Sequence, residues 1–93
     1  MYDLLIKPEA DKIFKKLAGR NAKQLVIINS KIEEIRTNPQ HIYKFLRKPL
    51  HGFNRVHIDS HFVLIFRIDH ERRFVEVYYY DHHDNIYKWR PKA

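Results

Sequence analysis

Two pairs of residues carry most of the chemistry that this chain could perform: Arg55 with His57, and His82 with His83. Histidine exchanges a proton near neutral pH, and arginine presents a planar fork that grips phosphate oxygens two at a time. Spaced by two, Arg55 and His57 share one face of an extended segment, where on their own they read as solvated strand residues. His82 and His83 are adjacent, so an extended backbone points them oppositely and only one would face a bound substrate. Asp81 and Asp84 flank the pair and are placed to hold an imidazole in one tautomer.

The charge around these residues favours a polyanion. The chain has 18 Lys plus Arg against 11 Asp plus Glu, a net charge of +7. Between Glu34 and Asp59 there is no acidic residue, whereas Arg36, Lys44, Arg47, Lys48 and Arg55 fall there with His41, His51 and His57. That stretch makes a local positive field available to phosphates. The absence of cysteine removes disulfide scaffolds, thiolate zinc sites and cysteine nucleophiles together. There is no HExxH pair and no spacing that groups three metal ligands, and two glycines do not make a phosphate-cradling loop. Neither metal nor cofactor is expected. No stretch approaches the roughly 20 apolar residues of a membrane span, and the opening residues lack the apolar run of a signal peptide, so the reading is cytoplasmic.

The elements that must position these groups follow from periodicity. At 93 residues the chain has the size of one domain, spanning 1–93, and 44% hydrophobic residues suffice for a core. Tyr2 to Ile6 reads as a strand ended by Lys7-Pro8. Pro8 suits a first helical position, Glu9 and Asp11 favour the positive end of the helix dipole, and Ala10, Ile13, Phe14 and Leu17 recur at helical spacing up to a stop at Gly19. Asn21 then caps a second helix whose stripe is Leu25, Ile28, Ile32 and Ile35, closed by Asn38-Pro39. A basic, aromatic loop leads to a strand over Phe53 to Ile58. Phe62 to Ile68 and Phe74 to Tyr80 form an antiparallel hairpin, after which the polar tail leaves the sheet. The predicted fold is α+β, a two-helix hairpin packed on a mainly antiparallel four-stranded twisted sheet in the order β-α-α-β-β-β.

That order, with the residues at its joints, resembles the RelE/ParE toxin superfamily over nearly the whole chain. The resemblance rests on the Asn38-Pro39 helix end, the run Lys48-Pro49-Leu50-His51-Gly52-Phe53, the strand Arg55-Val56-His57-Ile58, and His82-His83-Asp84-Asn85-Ile86-Tyr87. It implies a RelE-type mRNA interferase that cuts mRNA in the ribosomal decoding site and is neutralised by a cognate antitoxin. The alternative within the same fold is a non-catalytic binding module, either a ParE-like DNA gyrase inhibitor or an inactive RNA-binding homologue.

Metal-free RNA cleavage requires removal of the 2′-hydroxyl proton, protonation of the leaving 5′-oxygen and stabilisation of added negative charge on phosphorus. The resemblance puts Arg55 and His57 at basic active-site positions, with Arg55 on the phosphate. It makes His82 and His83 the acid and base and gives Tyr87 the support of the scissile nucleotide. Lys44, Arg47 and Lys48 are the candidate RNA-binding cations. Two positions depart from the family pattern: Val63 stands where many relatives carry an Arg early in the third strand, and Lys48 stands where some carry a carboxylate.

Overall fold

The computed structural model describes residues 1–92. The chain runs β1 (Asp3–Ile6), α1 (Pro8–Arg20), α2 (Ala22–Thr37), β2 (Asn54–Ile58), β3 (Phe62–Asp69), β4 (Phe74–His82) and a short 3-10 turn (Ile86–Lys88), the expected order. One sheet has the strand order β1-β4-β3-β2, with β1 parallel to β4 and the other two pairings antiparallel. Among the described residues no helix is long and apolar enough to cross a membrane.

Pro8 opens α1 with Glu9 and Asp11 in its first turn, as the sequence predicts, but the helix continues through Gly19 to Arg20. The break falls at Asn21, whose φ of −151° and ψ of 75° leave the helical region. Its backbone N–H donates to the Leu17 carbonyl at 2.7 Å, and its side chain accepts from the Gln24 N–H at 3.2 Å. A single asparagine thus ends one helix and caps the next, and Gly19, which has no positive φ, is not needed as a stop.

The sheet carries a core on each face. On the helical side Ala10, Phe14, Ile28, Ile32 and Ile35 pack against Ile58, Leu64, Phe66, Val75, Val77 and Tyr80. The buried Gln24 amide is satisfied there, donating to the Tyr80 hydroxyl at 2.6 Å. On the opposite side Leu46, Leu50, Phe53, Val63, Ile65, Ile86 and Trp89 form a second cluster. The tail therefore does not simply leave the sheet, as its polarity suggested. Ile86 and Trp89 are apolar enough to fold it back, with the Trp89 indole stacked on Tyr79 at 5.2 Å and donating to Glu9 at 2.9 Å. A bulge feeds this second cluster. Phe66 opposes Val77 while Ile65 opposes Tyr79, so Tyr78 is an extra residue and both Tyr78 and Tyr79 pack on the second cluster.

Candidate active site

Arg55 and His57 pair across the sheet with Ile65 and Val63, residues of the second cluster, so both project on the helix-free face. Val56 and Ile58 pack with the first cluster, which is the division the alternation predicts. His57 is exposed and Arg55 half-buried. Val63 is 3% exposed within the second cluster, so the position where relatives carry an arginine is used here for packing.

The loop before β2 brings more cations to Arg55. Its N–H donates to the Lys44 carbonyl at 2.9 Å, and Phe45 bridges Asn54, so the loop runs along the outer edge of β2. Lys44, Arg47 and Lys48 are all exposed. Tyr87 fixes Arg47: the phenol oxygen accepts from the Arg47 backbone N–H at 2.9 Å, and the Arg47 guanidinium lies 4.8 Å from the centre of the ring. Burial pushes the Tyr87 hydroxyl up, but the two Arg47 hydrogen bonds and the Arg47 and Arg55 charges outweigh it, and the net direction is down. The tyrosine is thus half-buried on the second cluster yet turns its oxygen toward cations. Among the described residues, neither Arg47 nor Arg55 is in an ion pair.

The histidines gather at the end of the sheet. The expectation that adjacent His82 and His83 point apart is corrected: the strand ends at His82, the chain turns, and the two rings lie 4.4 Å apart. Asp84 holds both. Its carboxylate is 3.0 Å from His83 Nδ1 and 3.5 Å from His82 Nδ1, and its backbone N–H donates to His82 Nδ1 at 3.1 Å. Assigned from these partners, neutral His83 carries its proton on Nδ1 and leaves Nε2 free to accept, while neutral His82 carries its proton on Nε2. Asp81 does not hold an imidazole; it accepts from the Tyr79 hydroxyl at 2.8 Å and from the His82 N–H at 2.7 Å.

His61, which the sequence reading did not single out, completes this group. Its ring stacks on His82 at 6.0 Å with an interplanar angle of 6° and lies 6.2 Å from His83. The signal was present in the hairpin: once Phe62 pairs with His82, the next pair outward is His61 with His83, and the His83 N–H does donate to the His61 carbonyl at 2.9 Å. The structure thus forms two groups, cations with Tyr87 along β2 and imidazoles with Asp84 at the strand end. Among the described residues no hydrogen bond or ion pair joins them. His57, two residues beyond Arg55 toward that end, lies between them along β2.

The Tyr79–Asp81 hydrogen bond underlies the turn that presents the imidazoles, and it has a pH signature. Burial first, then the Asp81 hydrogen bond, with the Asp81 and Glu9 charges adding, push the Tyr79 hydroxyl up to about 12. A folded-state value above the unfolded one contributes stability that is complete below about pH 10 and lost as pH rises from about 10 to about 12. Tyr79→Phe is expected to cost about 1 kcal/mol near neutral pH, and urea unfolding should show its deficit against the native chain shrinking through that alkaline window. A deficit that stays constant there would disprove the linkage.

No family model matches the chain. A curated relative from Methanocaldococcus jannaschii, named "Putative toxin RelE4", is 52% identical over 88 residues, covering 95% of this chain and 93% of the relative. The fold is shared with the YoeB/ParE toxin from Agrobacterium tumefaciens, with a TM-score of 0.76, 15% identity, and 87% and 98% of the two chains covered. It is also shared with the toxin–antitoxin complex RelBE2 from Mycobacterium tuberculosis, with a TM-score of 0.70, 23% identity, and 87% and 96% covered. With a relative more than half identical over almost its full length, and with the fold and the order of elements both matching, the chain belongs to the RelE/ParE toxin superfamily.

Proposed function

We propose that this toxin is a ribosome-dependent endoribonuclease that cuts mRNA in the decoding site without a metal and is held inactive by a cognate antitoxin. The observation that supports the reading is that cations free of carboxylates, Arg47 and Arg55, and imidazoles set against Asp84 are carried by the same small sheet and its flanking segments. An RNA backbone carries one phosphate per nucleotide, so a strand crossing the helix-free face engages the cations at one linkage while a neighbouring one meets the imidazoles. His83, with Nε2 free, takes the 2′-hydroxyl proton, and the 2′-oxygen attacks phosphorus. His82 in its protonated form gives a proton to the leaving 5′-oxygen, its Nδ1–H turning to the Asp84 carboxylate. Arg55 and Lys44 grip the neighbouring phosphate and so fix the register of the linkage that is cut, while protonated His82 offsets the charge that builds on it. The products are a 2′,3′-cyclic phosphate and a 5′-hydroxyl. Tyr87 holds Arg47 in place, and its ring offers a face for a base.

An antitoxin has a surface to cover. Val26 and Ile27 on α2 and Ile42 and Phe45 on the loop are exposed apolar residues, 67%, 44%, 90% and 59% accessible, and the basic edge of β2 adjoins the latter two. A segment that is apolar on one side and acidic on the other matches both, in keeping with the toxin–antitoxin complex among the structural neighbours. The test is addition of the purified chain to a ribosome-containing translation extract followed by primer extension on the message. The expected result is arrest with cuts at codon-register positions that require ribosomes. Intact message accompanied by gyrase-linked DNA breaks would replace this reading with the binding-module one.

A further inference from the structure

His61, His82 and His83 each offer a nitrogen, and these three atoms lie within 4.8 Å of one another. The residues come from the β2–β3 turn and the end of β4, so their sequence spacing gives no hint of a ligand set. We propose that they form a binding site for a borderline divalent transition-metal ion of the zinc, cobalt or copper class.

Three features favour such an ion. Three neutral imidazoles are the donor set that borderline cations prefer, whereas magnesium and calcium require oxygen ligands. Nitrogens around a tetrahedral ion at its usual bond length of about 2.0–2.1 Å stand about 3.4 Å apart, so the rings must close by little more than about 1 Å. His61 is exposed and the side chains of His82 and His83 are 35% and 45% exposed, so the closing movement falls mainly to His61 and His83 while His82 keeps its edge-to-face contact with Phe62. Asp84 supplies the outer partner such sites need. Its carboxylate stands 3.0 Å from His83 Nδ1 and 3.5 Å from His82 Nδ1, near enough to take up an Nδ1–H from either ring when the other nitrogen binds the ion. The fourth position is left to water. The positive charge of the chain opposes any cation at long range, but at ligand distance the lone pairs and the Asp84 charge prevail.

A bound ion would hold the imidazole lone pairs that transfer protons, making the metal form a resting form of the toxin; this consequence rests on the nuclease reading, whereas the site itself does not. The experiment is therefore a binding one, carried out without RNA. Untagged protein is titrated with cobalt(II) near neutral pH, the visible absorption of four-coordinate cobalt is followed, and zinc is then added. One equivalent of cobalt should give the band, zinc should abolish it, and His61→Ala should weaken binding by at least about tenfold while keeping the native circular dichroism. His57→Ala should leave binding unchanged. Absence of the band, or a band that survives His61→Ala at full affinity, would overturn the site, and loss of the band in His57→Ala would place the ion elsewhere.

Discussion

Converting His82 and His83 together to alanine is expected to lower mRNA cleavage by about 10²- to 10⁴-fold, the range that positioned proton transfer contributes. Both positions matter because the rings are 4.4 Å apart and share Asp84, so either imidazole can partly cover for the other and single variants should fall less. Folding should be little affected, since neither side chain is buried and neither belongs to the buried set of either core. The cations along β2 are untouched, so the variant should still bind ribosomes. Cleavage rates from primer extension, read beside ribosome co-sedimentation, separate the two effects. A double variant that cuts at the native rate would take proton transfer away from these histidines.

Phe66→Ala should have the largest effect on stability, about 3–5 kcal/mol, as expected for emptying a fully enclosed aromatic site. Phe66 is 0% exposed in the first core. It meets Tyr43 edge to face at 5.4 Å and opposes Val77 at the bulge, so strands, loop and helices all converge on one ring. The rigid sheet beneath it cannot collapse into the space. Urea unfolding of the two proteins gives the difference directly, with exposed Phe45→Ala as the comparison, expected within about 0.5 kcal/mol. A loss below about 1 kcal/mol for Phe66→Ala would mean that the core is looser than its burial implies.

Most of the scaffold was legible because its signals are local. Pro8 at a helix start, the Asn21 cap, the stripe through Ile28, Ile32 and Ile35 and the alternation through Arg55 and His57 each depend on a few neighbouring residues. What was misread depended on contacts between distant segments. Gly19 is the local exception: Asn21, read as the cap of the second helix, also ends the first, so the glycine stop is not used. The tail reads as polar unless one knows that a second apolar face awaits Ile86 and Trp89. In the site, strand alternation placed Arg55 and His57 on one face, which the sheet register matches, and Tyr87 was proposed from the family resemblance. His61 was invisible as a lone turn residue because only the pairing of β3 with β4 carries it to His83. The opposed orientation assumed for His82 and His83 failed because the extended backbone ends between them.

Among the described residues β1 pairs with β4 alone, more than sixty residues further along the chain. During synthesis, then, the first strand must wait unpaired while both helices and two further strands emerge. Only when the stretch that ends in the histidines has left the exit tunnel does the sheet have its central member. A nascent chain that has not yet released β4 therefore has neither a finished platform nor its histidine cluster.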